Sequence, residues 1–301
     1  MRVIVALGGN ALLRRGETPT AEAQRRNLER AGEAIAEVAR DHDLVVTHGN
    51  GPQVGLLMLQ STSRDDGPRF PLDVVSAESV GMIGYLLETE LANRLPGREV
   101  ATLLTRVQVD PDDPAFEEPT KPIGPGCDRE RADALTREHG WTFAREGERW
   151  RRVVPSPRPV RILELDTIRL LVRHGVLVVC AGGGGLPVIV TEDGRIVGVE
   201  AVVDKDRTTA LLAEELDGDA LLLLTDVHAV MEGWGTPEAR PIHRTSPERL
   251  RALALDPGSM GPKVEAACAF VEATGRPAWI GALEDAAALL AGDAGTRVEP
   301  G

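Results

Sequence analysis

Short unbroken apolar runs alternate along the chain with longer stretches in which apolar residues recur every three or four positions. Arg2–Leu7 is the first such run; Gly8-Gly9-Asn10 follows it, and Thr20–Arg40 then carries Leu28, Ala31, Ile35 and Val38 at helical spacing. The unit repeats. Asp43–Thr47 reads as a second short strand, His48-Gly49-Asn50-Gly51-Pro52 ends it, and Gln53–Gln60 resumes the helical period. Further strands are predicted at Val100–Thr105, Val176–Cys180, Ala220–Thr225 and Pro277–Ile280, with helices near Asp73–Leu95, Leu163–His174, Arg207–Leu216 and Pro262–Thr274. Strands that are apolar throughout are covered on both faces. The pattern therefore predicts an α/β fold, an open and mainly parallel sheet sandwiched by helices.

One segment breaks the rhythm. Asp110–Pro159 is rich in proline and charge, holds Trp141 and Trp150, and ends in Val154-Pro155-Ser156-Pro157-Arg158-Pro159. It reads as a protruding lid subdomain, because insertions at the carboxyl edge of an α/β sheet lie where ligands bind. Near Val190–Gly198, the run Thr191-Glu192-Asp193-Gly194-Arg195 has hairpin-turn chemistry and marks an internal boundary.

Composition narrows the function. The 301 residues are 42% hydrophobic, enough for a sizeable core, and no apolar run approaches the roughly 20 residues of a membrane span. With no leader sequence after Met1, the expectation is a soluble protein. Cys127, Cys180 and Cys268 form no CxxC pair, which suits a reducing compartment and hence the cytoplasm. A net charge of -13 argues against nucleic acid as partner, since that requires a basic surface. Any phosphate chemistry must then concentrate cations locally.

The lysines offer that concentration. Lysine and arginine total 34, yet Lys121, Lys205 and Lys263 are the only lysines. Where arginine has replaced lysine almost everywhere, the survivors are suspects for places that need a compact ammonium rather than a planar fork. Lys121 sits between Pro119-Thr120 and Pro122 in the lid, on a stiffened backbone. Lys205 lies in Asp204-Lys205-Asp206 before a helix that Asp206 could cap. Lys263 follows Gly258-Ser259-Met260-Gly261-Pro262 at another helix start, with Ser259 a plausible cap. Positive charge there is unfavourable unless an anion is shared.

Three strands end in glycine turns: Gly8-Gly9-Asn10, Gly49-Asn50-Gly51-Pro52 and Gly182-Gly183-Gly184-Gly185. Such turns let backbone N–H groups approach an anion, although any one alone is more often a tight connection. None is a Walker A sequence, and the second lacks the final residue of GxGxxG, which leaves a dinucleotide oxidoreductase as a weak rival. The six histidines show no metal-ligand spacing and no GxSxG elbow occurs. His48 could touch substrate, but a histidine closing a strand is more often structural. Trp234 could pack on a nucleotide base or on the core.

Taken in order, Val5-Ala6-Leu7-Gly8-Gly9-Asn10-Ala11, Thr47–Gly55, Pro119–Pro125 and Val153–Pro157 resemble the carbamate kinases of the amino-acid-kinase superfamily. Gly182–Pro187, Gly198–Asp206, Leu224-Thr225-Asp226-Val227 and Pro257–Lys263 look like the later motifs of the same family, so the resemblance spans the chain. Related acid kinases usually carry a lysine near the first strand. This chain has Leu7 there and places a cation on the lid, Lys121, as carbamate kinases do. The resemblance implies an amino-terminal lobe over 1–200 for the acid, including the lid at about 110–159, a nucleotide lobe over 201–301, Mg²⁺ with ATP or ADP, and a homodimer. His228, where relatives commonly have aspartate, and Met231, where many have tyrosine or another larger residue, depart from the family pattern near the expected adenine site.

The expected reaction moves a phosphoryl group between ATP and carbamate. Carbamate is already an anion and needs no general base, so positioning and charge carry the catalysis. Lys121 and Lys205 are expected to stabilise the transferring group, with Asp206 orienting them. Gly8, Gly9 and Asn10 would hold the phosphoryl group, while Gly49, Asn50, Gly51, Gly183 and Gly184 shape the acid site. The resemblance puts Lys205, Thr225, Asp226, Val227, Met231, Trp234, Met260 and Lys263 on the nucleotide side. No metal ligand is assigned on the protein, Mg²⁺ being expected through the nucleotide phosphates. A sister kinase for another small carboxylate or phosphate acceptor and a non-catalytic nucleotide-binding module are the competing readings.

Overall fold

A computed structural model of the chain describes residues 1–9, 17, 20–61, 70–253 and 260–301. In the first strand, β1 (Arg2–Leu7), Val3, Val5 and Leu7 face one side and Ile4 and Ala6 the other, and all five are fully buried. That is the consequence of an apolar run without alternation. The remaining strands follow as β2 (Asp43–His48), β3 (Val100–Thr102), β4 (Arg106–Val109), β5 (Lys121–Cys127), β6 (Thr142–Glu146), β7 (Arg149–Val154), β8 (Pro159–Ile162), β9 (Leu177–Val179), β10 (Leu186–Val190), β11 (Ile196–Gly198), β12 (Ala220–Thr225), β13 (Met231–Glu232), β14 (Arg240–Pro241), β15 (Arg244–Thr245), β16 (Ala278–Ala282) and β17 (Thr296–Val298).

Among the described residues the main sheet has the order β15-β17-β16-β12-β1-β2-β9-β3. It is parallel except where β16 meets β17. Helices Leu165–Arg173, Lys205–Glu215 and Met260–Thr274 bury Ile168, Val172, Leu212, Val264 and Phe270 on the face of Ile4. Helices Ala21–Ala39, Leu72–Arg94 and Ala286–Ala291 bury Leu28, Ile35, Ile83, Leu87 and Leu289 on the face of Val3. Each fully buried Leu, Ile or Val contributes about 1.5–3 kcal/mol, so the strand ends that carry the glycine turns are rigidly seated. Because β1 pairs with β2 on one side and β12 on the other, the sheet runs without a break across residue 200.

The predicted strand Val100–Thr105 divides in two. Val100–Thr102 stays in the main sheet, Thr105 leaves it to accept from Ala181 N at 3.0 Å, and Arg106–Val109 enters a second sheet of order β11-β10-β4-β8. The hairpin chemistry at Thr191–Arg195 is realised there as the antiparallel β10–β11 pair.

The lid hangs from that second sheet. The chain departs after Val109 and returns at Pro159, its register partner across the antiparallel β4–β8 pair. Between them β5, β7 and β6 form an antiparallel sheet backed by the helix Arg129–His139, which Asp128 caps through Arg131 N at 2.8 Å. Arg152 fastens the lid to the body. Its guanidinium stacks 3.9 Å from the Trp141 ring centroid and donates to Glu200 Oε2 at 3.0 Å, while Glu200 Oε1 accepts from Leu72 N at 3.2 Å.

Candidate active site

The glycine turns close three neighbouring parallel strands, β1, β2 and β9, at their carboxyl ends, and Thr225 ends β12 beside them. This is the edge at which open α/β sheets bind ligands. The turns touch. A Cβ at Gly49 would lie 3.0 Å from both N and Cα of Gly9, and one at Gly184, whose φ is +93°, would lie 2.2 Å from Val203 O. Only glycine allows the backbones so near, and the second contact sets the height of the segment leading into Asp204-Lys205-Asp206. Thr208 Oγ1 donates to Gly184 O at 2.8 Å and reinforces it.

Into this edge opens a cavity of about 230 Å³, lined by Gly8, Gly9, Gly49, Asn50, Gly51, Gly183, Thr225 and all three lysines. Lys121 arrives from the lid strand β5, Lys205 from the first turn of helix Lys205–Glu215, and Lys263 from the first turn of helix Met260–Thr274. Two carboxylates gather them. Asp204 Oδ2 accepts from Lys121 Nζ at 2.8 Å, Asp206 Oδ2 accepts from Lys263 Nζ at 3.0 Å, and Asp206 Oδ1 accepts from Lys205 Nζ.

This differs from the expectation in two respects. Asp206 was expected to cap its helix and to orient Lys121 with Lys205. Instead Asp204 Oδ1 is the cap, accepting from Asp206 N at 3.0 Å and Arg207 N at 3.3 Å, while its other oxygen holds Lys121. The physical reason is that the residue before the first helical turn is the one whose side chain can reach the free N–H groups. Asp206, two residues past that cap, lines the cleft and bridges Lys205 with Lys263.

Burial alone would raise the Asp206 carboxyl, but Lys205 and Lys263 overcome it and hold the group well below the usual carboxylate range. Asp204 is likewise opposed by burial and held down by Lys121. Burial pushes the Lys205 ammonium below the ordinary lysine range, against the pull of Asp206. Three ammonium groups facing two carboxylates leave excess positive charge where the site is least hydrated. An anionic oxygen entering there completes the balance.

His48 lies beneath the glycine turns, fully buried, its Nδ1 3.0 Å from Gly49 O. Burial lowers it to about 4, against the effect of that backbone bond and with help from Lys205, so it is neutral at pH 7. Asn50 is held by donation to Ser79 Oγ at 2.8 Å. Asn10 and Ser259 lie outside the described residues. Of the residues expected on the nucleotide side, Thr225 lines the cavity. Asp226 and Val227 continue from it, Met231 begins the β13–β14 pair, and Met260 opens the helix of Lys263. Trp234 sits between β13 and β14, 68% exposed and away from the cavity wall, and His228 pairs with Asp285 at 2.8 Å. Asp204 and Glu200 are the polar residues that the sequence expectations omitted. Asp204 was visible only as one of two equivalent neighbours of Lys205.

Among the described residues no group of three or more His, Cys, Asp or Glu side chains converges as a metal site, and both cavity carboxylates are taken by ammonium groups. These residues give a divalent ion no protein cage.

The sequence model of the Amino acid kinase family matches residues 1–282. The chain belongs to that family. Within it, the carbamate kinase of Rhizobium meliloti is 54% identical over 301 residues, covering 99% of this chain and 93% of that protein. The carbamate kinase of Haemophilus influenzae is 51% identical over 299 residues, covering 99% and 96%. The solved structure of carbamate kinase from Giardia lamblia bound to AMP-PNP matches with a TM-score of 0.92 at 38% identity, covering 100% of this chain and 98% of that one.

Proposed function

We propose that the protein is a carbamate kinase, transferring a phosphoryl group between the terminal phosphate of ATP and the carboxylate oxygen of carbamate. The observation that carries the reading is the meeting of Lys121, Lys205 and Lys263 over glycine turns on two adjacent carboxylates. In the ATP-forming direction the P–O bond to carbamate breaks and a P–O bond to the ADP terminal oxygen forms. No proton has to move, which suits a site whose buried histidine is neutral and lies under the cavity floor. Lys121 and Lys205 balance charge on the equatorial oxygens and Lys263 holds the nucleotide phosphates. The Gly8 and Gly49 N–H groups are spent on Leu224 O and Leu7 O, so the N–H groups of Gly9, Asn50 and Gly51 in the same turns receive the phosphoryl and acid oxygens.

The acid side of this scheme is the part before about residue 200 with the lid. The nucleotide side follows it, along Thr225, Asp226, Val227, Met231 and Met260. The two cavity carboxylates being taken by ammonium groups, Mg²⁺ would be carried by the nucleotide phosphates and would supply neutralisation of phosphate charge. Three free cysteines suit a reducing cytoplasm, and a homodimer is the expected assembly.

The test is a luminescent measurement of ATP formed from ADP and carbamoyl phosphate, with acetyl phosphate as the control donor. ATP formed from carbamoyl phosphate and little from acetyl phosphate is the expected result. Equal use of both donors would favour a sister acid kinase, and no ATP from either would remove the assignment.

A further inference from the structure

No hydrogen bond joins His48 to the three lysines; its ring Nδ1 meets Gly49 O, beneath the turn that lines the cavity. A carbonyl oxygen can only accept, so the 3.0 Å contact with Gly49 O puts the ring proton on Nδ1 and leaves Nε2 as a bare acceptor. Nε2 is buried and has no hydrogen-bond partner among the described residues. A leucine or phenylalanine would fill this space with no orphaned acceptor, so packing does not account for a histidine here.

The ring is fixed from its far side. A Cβ at Gly182 would lie 2.5 Å from both Cε1 and Nε2 of His48, and one at Gly183 would lie 2.5 Å from Nδ2 and Oδ1 of Asn50. Two successive glycines thus seat the side chains on either side of the Gly49–Asn50 peptide, and Ser79 Oγ holds Asn50 by a 2.8 Å bond. A trans peptide is planar, with its C=O and N–H pointing in opposite directions. With Gly49 O turned inward onto the imidazole, the Asn50 N–H is turned outward, to the side where Gly49, Asn50 and Gly51 line the cavity.

We propose that His48 is a positioning residue of the transfer reaction: donating from Nδ1 to Gly49 O, it locks the Gly49–Asn50 peptide with the Asn50 N–H aimed at an anionic oxygen of the acid substrate or the moving phosphoryl group. The inference rests on the phosphotransferase reading of this cavity. Histidine suits the task because its donor is carried on a rigid ring wedged by Gly182, so the peptide cannot turn without displacing both glycine loops.

Three variants and one spectrum test it. His48→Asn keeps an N–H close to the Nδ1 position, His48→Gln moves the donor one bond outward, and His48→Leu removes it. The kcat for ATP formation is expected to fall roughly 10- to 100-fold in the Leu and Gln variants, with the KM for ADP unchanged, and to recover to within several-fold in the Asn variant. The ¹⁵N spectrum of wild-type His48 is expected to show the Nδ1–H tautomer. An Nε2–H tautomer, wild-type kcat in the Leu variant, or equal losses in the Asn, Gln and Leu variants would overturn the proposal. Absence of any ATP from the wild-type protein would instead remove the phosphotransferase reading, while the tautomer would still report on the lock. Should the Leu variant fail to fold, the Asn and Gln pair decides.

Discussion

Asp204 shows how one side chain can serve two purposes that the sequence presents as alternatives, capping a helix through Oδ1 and holding Lys121 through Oδ2. It could cap a helix or orient a lysine, and the sequence places Asp204 and Asp206 symmetrically about Lys205. Which carboxylate faces the cavity depends on where the first helical turn begins, and residue spacing alone does not encode that to one position. The lysines themselves were legible, because an arginine-dominated composition made them stand out. Removing the Asp206 charge leaves Lys205 and Lys263 together in a largely buried place. Asp206→Asn should cost stability on the order of 3–5 kcal/mol and reduce kcat at least 100-fold. Thermal melting with and without ADP checks this: ADP phosphates should raise the melting temperature of the variant more than that of the wild type.

His48 gives a pH signature at the same scale. Its folded value is about 4, against 6.5 for the free side chain. Between those values the unfolded chain binds more protons than the folded one, so stability falls as pH drops from 6.5 toward 4, by on the order of 3 kcal/mol. Denaturant melts over this range should show a shallower decline for His48→Asn than for the wild type. Parallel declines would mean that His48 is not held neutral.

At the scale of elements, the strands and helices were readable from apolar runs and helical spacing because both sheet faces are covered. Ala220–Thr225 and Arg2–Leu7 match residue for residue. The division of Val100–Thr105 was not readable. It depends on a side-chain bond from Thr105 to a backbone that lies 76 residues away. The lid was legible as an excursion, whereas its fastening by Arg152, Trp141 and Glu200 joins three segments that no local pattern links. Because Val109 and Pro159 are register partners, the lid can be excised and the β4–β8 pair rejoined by a short turn. Such a deletion should abolish ATP formation, since Lys121 and the shield against water go with it, yet leave ADP binding within several-fold by calorimetry. Retained transfer would show that the lid lysine is dispensable.

On the scale of the whole molecule, the sheet order does what no single motif can. With β12 and β2 flanking β1 and β9 beside β2, the glycine turns that begin at residues 8, 49 and 182 open onto one edge, and the lid strand β5 and two helix starts bring in lysines from positions 121, 205 and 263. A chain of net charge -13 thus keeps a small region of positive charge at its centre. Whether these ammonium groups act on one phosphoryl group is best measured by a double-mutant cycle on kcat for ATP formation from ADP and carbamoyl phosphate, using Lys121→Met, Lys205→Met and the pair. If both serve the same transferring group, each single variant should lose roughly 100-fold or more, and the pair should lose far less than the product of the two. Losses that multiply, or a single variant that keeps the wild-type rate, would contradict a shared site.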